Sequence, residues 1–387
     1  MRFCFFRSLL LFFIFTLISF RTYALNIHDT LDYHYPLRVH VKGIFYSTPT
    51  VTHDNKLVIA SHNRNIYFFD SNGNEMNSHR TRGWFHATPT LLSDSTVSIG
   101  CYDGFFYFFD PDGNYIKKIK PGGFIFTEPV EIGESIAFGN NKGQVVFYNR
   151  KSSQLSHVKV KSLVHGAPLV TSDSLLVIGS NSKDVYFINR NRELLHRFRT
   201  NGWIMHSRPL ELHNGTIVVC SYDKHVYALD KWGNMIWKFK TEGRIHGSPI
   251  QMKDETIVIG SMDGKIYLLS PEGELVARIP TGKRVVSSPA AVNDSVAVIG
   301  SYDHHLYFFD TRGKIISTYN AGGRIFSSPI VMDCGTVFCC TTKGLLSFLP
   351  LSYIEHILTH PSPGKDLWTW VKKKEYTSAS HHLDKEE

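Results

Sequence analysis

The chain has 387 residues, of which 42 % are hydrophobic, 20 % charged and 13 % aromatic, and this excludes a disordered chain and a fibrous rod. Its formal charge of +8 falls to +5 once Arg2, Arg7 and Arg21 of the N-terminal segment Met1–Ala24 are set aside. So mild an excess, with no like-charge block longer than Lys372-Lys373-Lys374 and no recognisable motif, argues against a nucleic-acid binder.

Residues 1–24 read as a secretory signal peptide. Arg2 and Arg7 precede an apolar run from Ser8 to Phe20, and Thr22 and Ala24 supply small residues for cleavage after Ala24. The run is shorter than the roughly 20 residues of a membrane span, and no later run is long enough, so no span is expected after cleavage. The mature chain is therefore expected in a periplasm or outside the cell. Cys4 lies before the apolar run, which is not the order of a bacterial lipoprotein signal. Cleavage leaves Cys101, Cys220, Cys334, Cys339 and Cys340, an odd set too small to be a disulfide framework and without CxxC spacing.

The rest of the chain is organised by a repeat. Pro49, Pro89, Pro129, Pro168, Pro209, Pro249, Pro289 and Pro329 recur at intervals of about 40 residues, each in the same local sentence. Unit seven shows its parts: SSPAAV, a turn at Asn293-Asp294, VAVIGS, a turn at Asp303, HLYFFD, a turn at Gly313, and KIISTY. Short apolar runs between Gly, Asn and Asp turns predict strands. Four such strands in every unit predict one propeller blade per unit. The fold class is all-β, an eight-bladed β-propeller of four-stranded blades over residues 25–350. Unit eight ends near Leu349 without a fourth strand, and Tyr35–Val41 matches the missing slot. The N-terminal strand is expected to close the ring and remove its open edges.

Two side-chain columns follow the period. Asp103, Asp223, Asp263 and Asp303 stand at one fixed offset after their prolines, with Asn63 in unit one, and are expected to accept backbone N–H bonds in their own turns. Tyr67, Tyr107, Tyr186, Tyr227, Tyr267 and Tyr307 stand at a second fixed offset and are expected to pack between blades. Residues 351–387 fall outside the repeat. LSYIEHILTH reads as a short helix, and the remainder as a tail that docks through Trp368 and Trp370 or stays loose. Asn214-Gly-Thr216 and Asn293-Asp-Ser295 are glycosylation sequons in expected surface turns.

The unit resembles the PQQ-like β-propeller repeat, which runs SP, a GS-x-D-G turn, YALD and G-x-x-x-W. Unit five, CSYDKHVYALDKWGNMIWKFKTEG, carries the likeness best. It extends over about residues 35–350 and is shared by quinoprotein dehydrogenases, by the outer-membrane assembly lipoprotein scaffold and by other binding proteins. The resemblance implies the fold and leaves the function open. Only Trp237 fills the closing tryptophan slot; Asn77, Lys117, His196, Ala277 and Ser317 stand there in other units. A dehydrogenase of this kind implies PQQ, calcium ligands and often a vicinal disulfide. Cys339-Cys340 is a vicinal pair, but it lies within an expected strand, where neighbouring side chains point to opposite faces. Cys334 could instead approach Cys339 across the hairpin.

The first strand of each blade is expected to line the channel. Three places before the prolines stand Tyr46, His86, Phe126, His165, His206, His246, Val286 and Phe326. Two places further back stand Arg244, Arg284 and Arg324, while Arg208 and Glu128 directly precede their prolines. One reading is a basic, histidine-rich mouth that attracts an anionic ligand or peptide, through His86, His165, His206, His246, Arg208, Arg244, Arg284 and Arg324. The other is a packed column whose imidazoles bond neighbouring backbone. His86 is expected to lie far round the ring from His206, so that all four imidazoles cannot share one ion, with His206 and His246 the natural pair. No metal or other cofactor is assigned. GxSxG, P-loop, GxGxxG and HExxH patterns are absent from the sequence. The chain is read as an exported, non-catalytic scaffold with an unidentified protein partner. The alternatives are a PQQ-dependent dehydrogenase and a small-anion or glycan binder.

Overall fold

The computed structural model describes residues 36–360 and the backbone of Lys372–Glu375. The expected signal peptide and most of the C-terminal tail lie outside the described residues. Eight sheets of antiparallel strands follow one another round a ring, one per repeat unit. Blade 1 contains Thr50–Val51, Leu57–Ala60, Asn65–Phe69 and Glu75–Arg80, hydrogen-bonded in that order from the axis outwards. The second and third strands are buried along their length, because both their faces meet a neighbouring blade. The outermost strand alternates half-buried and exposed positions, the pattern of a strand with one wet face.

The innermost strand is shorter than the sequence suggests, with only two paired residues in most blades. The residues before each proline run extended along the axis, outside any ladder. In six of the blades a backbone N–H there turns sideways or a hydroxyl receives one. Arg208 N–H donates to Ser248 Oγ (2.9 Å), Ser248 to Ser288 (2.8 Å), Ser288 to Ser328 (2.8 Å), Ser328 to Thr48 Oγ1 (3.3 Å) and Thr48 to Thr88 (3.3 Å). A girdle of small hydroxyls therefore links blades 5, 6, 7, 8, 1 and 2 at the axis and satisfies amides that have no ladder partner.

Ring closure follows the expected route. Leu37–His40 pairs antiparallel with Leu345–Leu349, matching Leu37 to Phe348 and His40 to Leu345, and supplies the fourth strand of blade 8. Lys372–Glu375 adds a fifth strand to that blade, parallel to Leu37–His40. A helix, Leu351–Thr359, follows blade 8 and packs Tyr353, Ile354 and Ile357 against blade 7. Among the described residues no helix is long and apolar enough to cross a membrane.

Eight apolar clusters occupy the eight blade junctions. Repeated tyrosines lie in them: Tyr67 with Phe45 and Phe338, Tyr107 with Phe68 and Phe85, Tyr186 with Val145 and Phe147, Tyr227 with Val177 and Phe187. Four of them also latch a turn. Tyr107, Tyr227, Tyr267 and Tyr307 donate to Asp103, Asp223, Asp263 and Asp303 at 2.6–2.9 Å. Asp303 also accepts the N–H of His305 in its own turn and that of Gly282 on the incoming linker. One carboxylate thus fixes its turn, its blade's tyrosine and the chain arriving from the previous blade. Burial pushes the Asp303 carboxyl up, but these bonds outweigh it and hold the group down at about 2.

Cys339 and Cys340 face different junctions, between blades 7 and 8 and between blades 8 and 1, as adjacent strand residues must. Both are buried free thiols, pushed up in pKa by burial, and Cys339 to about 12. Cys334 is exposed and also free, so the cross-hairpin pairing with Cys339 is not present.

Candidate functional site

The channel is built in layers by the extended residues before each proline. The outer layer forms one mouth. It contains Ile44, Trp84, Phe124, Leu163, Trp203, Arg244, Arg284 and Arg324, one from each blade. In every blade the carbonyl of this residue accepts an N–H from the turn between strands two and three, at 2.8–3.1 Å. The geometry is constant while the side chains are not. Ile44, Trp84, Phe124 and Trp203 are 45–50 % exposed, which is unusual for such large apolar groups brought to one rim. Arg244, Arg284 and Arg324 are exposed too. The mouth is therefore divided into an apolar arc on blades 1–5 and a cationic arc on blades 6–8.

Aromatic rings floor both arcs. His62 stacks on Trp84 (centroids 5.6 Å, 19° between planes), and Tyr102 on Phe124 (6.1 Å, 11°). On the other side Arg284 lies over Tyr302 at 4.5 Å, Arg324 over the same ring at 5.9 Å and Arg244 over Tyr222 at 5.8 Å. Among the described residues no carboxylate lies within ion-pair distance of these three arginines. Lys283, Arg284, Tyr302 and Arg324 enclose a surface groove of about 300 Å³.

The next layer holds the histidines, and here the structure corrects the sequence reading. His86 is not remote from His206. Their rings stack at 4.8 Å, because side chains from blades 2 and 5 meet across a narrow axis. His206 also stacks on His246 (4.6 Å) and on His165 (5.3 Å). Phe326 closes on Tyr46 (4.7 Å) and on His246 (5.0 Å), and Phe126 on His165 (4.3 Å). The imidazoles meet mostly face to face. Among the described residues no group of three His, Cys, Asp or Glu side chains is arranged to hold a metal ion.

Charge does not follow composition in this layer. Burial holds His62, His165 and His246 down at about 4, and each imidazole's cost of charging rises with its neighbours. His86 is lowered for the same reason, and His206, buried among three other imidazoles, is held well below the usual histidine range. The stack is neutral at pH 7, so the expected histidine-rich cationic mouth resolves into three arginines above an uncharged plug. His246 Nδ1 lies 3.0 Å from the carbonyl of Val286 on blade 7, which is the backbone bonding the packed-column reading requires. Nδ1 of His86 and of His165 are buried without a protein partner.

His206 reaches the axis by a local irregularity. Unit five has one residue more than unit six between its linker glycine and its proline. Met205 takes the position bridging His165, and His206 is extruded with φ +61°. The same extra residue shifts Trp203 from five to six places before its proline, so a fixed-offset reading of the column misses it.

Beyond the histidines lies a cavity of about 70 Å³, lined by Glu128, Thr88, Ser288 and Ser328 as well as the imidazoles. That is room for about two waters. A tricyclic quinone needs a pocket of roughly 300 Å³ or more, so this inner cavity does not hold PQQ. Arg208 lies on this side of the plug, about 13 Å along the strand direction from the mouth layer. It is paired with Glu128 of blade 3 at 2.6 Å, reaching past the small Ala167 of blade 4. Of the eight residues read as an anion site, the structure brings the four histidines together in the plug, and Arg244, Arg284 and Arg324 together at the mouth. It separates Arg208 from both sets and neutralises it. Trp84, Phe124, Trp203 and Ile44 complete the mouth and were not singled out from sequence.

Comparison with known proteins agrees with this architecture. Residues 213–295 match the family model of the lambda-carrageenase β-propeller domain. No curated protein matches the chain. The crystal structure of BamB from Moraxella catarrhalis superposes with a TM-score of 0.68 at 12 % identity, covering 81 % of this chain and 100 % of that one. As many as 1596 solved chains match, so the likeness identifies a widespread architecture and carries no activity with it. The chain is an eight-bladed β-propeller whose repeats resemble the PQQ-like unit.

Proposed function

We propose that the protein is an exported, non-catalytic scaffold that holds a partner protein against the channel mouth. The observation that carries this reading is the mouth ring itself. Four large apolar side chains and three unpaired guanidiniums converge on one rim, a composition found at the centres of protein interfaces. The resemblance of the repeats to those of the outer-membrane assembly scaffold supports the same class. The signal-like N-terminus supports export.

The test is a pull-down from the envelope and secreted fractions of the source cell, with the wild-type mature chain and a Trp84→Ala/Arg284→Ala variant as baits. A specific protein retained by the first bait and lost by the second supports the scaffold. Repeated recovery of none by the wild type counts against it.

A second reading, a small anionic ligand or glycan in the Arg284–Tyr302–Arg324 groove, is favoured by the size of that groove and its unpaired charge. The local match to a carrageenase propeller domain is in keeping with it. A thermal-shift screen of sulfate, phosphate and anionic oligosaccharides tests it, with Arg284→Ala abolishing any response. Absence of any shift removes this reading. The dehydrogenase alternative has no room for its quinone in the inner cavity, and lack of dye reduction with alcohols or sugars on adding PQQ and calcium would retire it.

A further inference from the structure

Resting on the scaffold reading, we infer the chemistry of the partner: an extended peptide segment carrying clustered carboxylates next to bulky apolar side chains, laid across the mouth. The division of the rim sets this composition. Arg244, Arg284 and Arg324 come from three consecutive blades, and each is exposed with its guanidinium 4.5–5.9 Å from the centre of a tyrosine ring. A guanidinium edge matches a carboxylate in two parallel bonds. Among the described residues Arg278, Lys265 and Arg208 have acids of their own. The three at the rim have none and converge from consecutive blades, which leaves them open to a carboxylate from outside the propeller.

The opposite arc asks for something different. Trp84, Phe124 and Trp203 offer ring faces, but Ile44 in the same ring is aliphatic. A base or a pyranose gains from stacking on aromatic faces and little from an isoleucine, whereas Leu, Phe or Met side chains of a peptide gain from burying all four. The channel below is stoppered by the neutral histidine layer, so the segment lies over the mouth and does not thread it. An extended strand can place alternate side chains on the two arcs.

The experiment is a display selection of a random twelve-residue peptide library on the wild-type mature chain, counter-selected on an Arg244→Ala/Arg284→Ala/Arg324→Ala variant. Enriched peptides are expected to combine Asp or Glu with Leu, Phe, Trp or Met. Their affinity should fall at least tenfold on Arg284→Ala and again on Trp84→Ala, and should weaken steeply from 50 to 300 mM salt. Both variants are exposed substitutions and should melt within about 2 °C of wild type, which separates lost binding from lost fold. Enrichment without acids, or no enrichment at all, overturns the inference. So does equal binding of polyglutamate, of an anionic oligosaccharide or of single-stranded RNA, since a rim that needs only negative charge is not reading the apolar arc. If the selection fails while the pull-down still yields a mouth-dependent protein, the scaffold stands and only the peptide chemistry is wrong. Failure of both removes the scaffold.

Discussion

His206 shows how much one inserted residue decides. Its φ of +61° lies in the left-handed region, where Asn is several-fold enriched and β-branched residues are outliers. His206→Asn is therefore expected to keep the backbone, and His206→Val to cost about 1–3 kcal/mol more, measured by urea unfolding. The imidazoles around it also make stability depend on pH. His62, His165 and His246 titrate at about 4 when folded and near 6.5 when unfolded. Between these values the unfolded chain binds more protons, so the contribution is complete above about pH 6.5 and declines as pH falls towards 4. The melting temperature should drop by roughly 5–10 °C from pH 7.5 to pH 5 at constant ionic strength, and by less in His206→Asn. A flat profile would falsify the neutral stack. The repeat made the histidine column visible in the sequence. Its charge state was not, because that depends on burial by residues from several other blades.

Among the elements, the closing strand and the blade-to-blade turns carry the arguments. Arg38 on Leu37–His40 is buried, donates to Tyr319 Oη at 3.0 Å and to the carbonyl of Asn320, and lies over the Tyr319 ring. It ties the N-terminal strand of blade 8 to the outer strand of blade 7. Arg38→Ala removes charged hydrogen bonds from a buried site and should cost about 2–3 kcal/mol in denaturant unfolding. Trp237 is another such tie. Its indole N–H donates to the carbonyl of Pro271 at 2.9 Å, and its ring lies against Gly273 of the next blade. Gly273 has φ +85°, and a Cβ there would stand 2.6 Å from the indole. Gly273→Ala should cost about 2 kcal/mol or more, and the loss should shrink when paired with Trp237→Ala. The strand order and the closing slot were legible because each turn is fixed by local Gly, Asn or Asp chemistry. The two-residue length of the innermost strands was not, since it follows from crowding at the axis.

For the whole molecule, closure matters more than any single blade. Eight junction clusters of similar construction mean that each blade is stabilised by two neighbours, and an open ring would leave two blades with one each. Deleting residues up to Val41 would expose the Leu345–Leu349 edge in blade 8. Size-exclusion chromatography should then show aggregates or strand-exchanged oligomers, and a clean monomer of unchanged melting temperature would show that the N-terminal strand is dispensable.

The number of blades, the order of strands within them, the turn-forming aspartates, the tyrosines between blades and the strand that closes the ring could all be read from the sequence; that the tyrosines donate to those aspartates could not. Each is written in local turn chemistry that recurs from proline to proline. Which residues meet at the axis is a different matter, settled when the ring closes in three dimensions. His86 and His206 stand three repeat units apart in the chain, yet their rings touch because the channel is narrower than two side chains. The same convergence made the imidazoles neutral, set Glu128 against Arg208 and assembled Trp84, Phe124 and Trp203 with the three arginines into one divided rim. A repeat specifies each blade. The contents of the channel depend on all eight together.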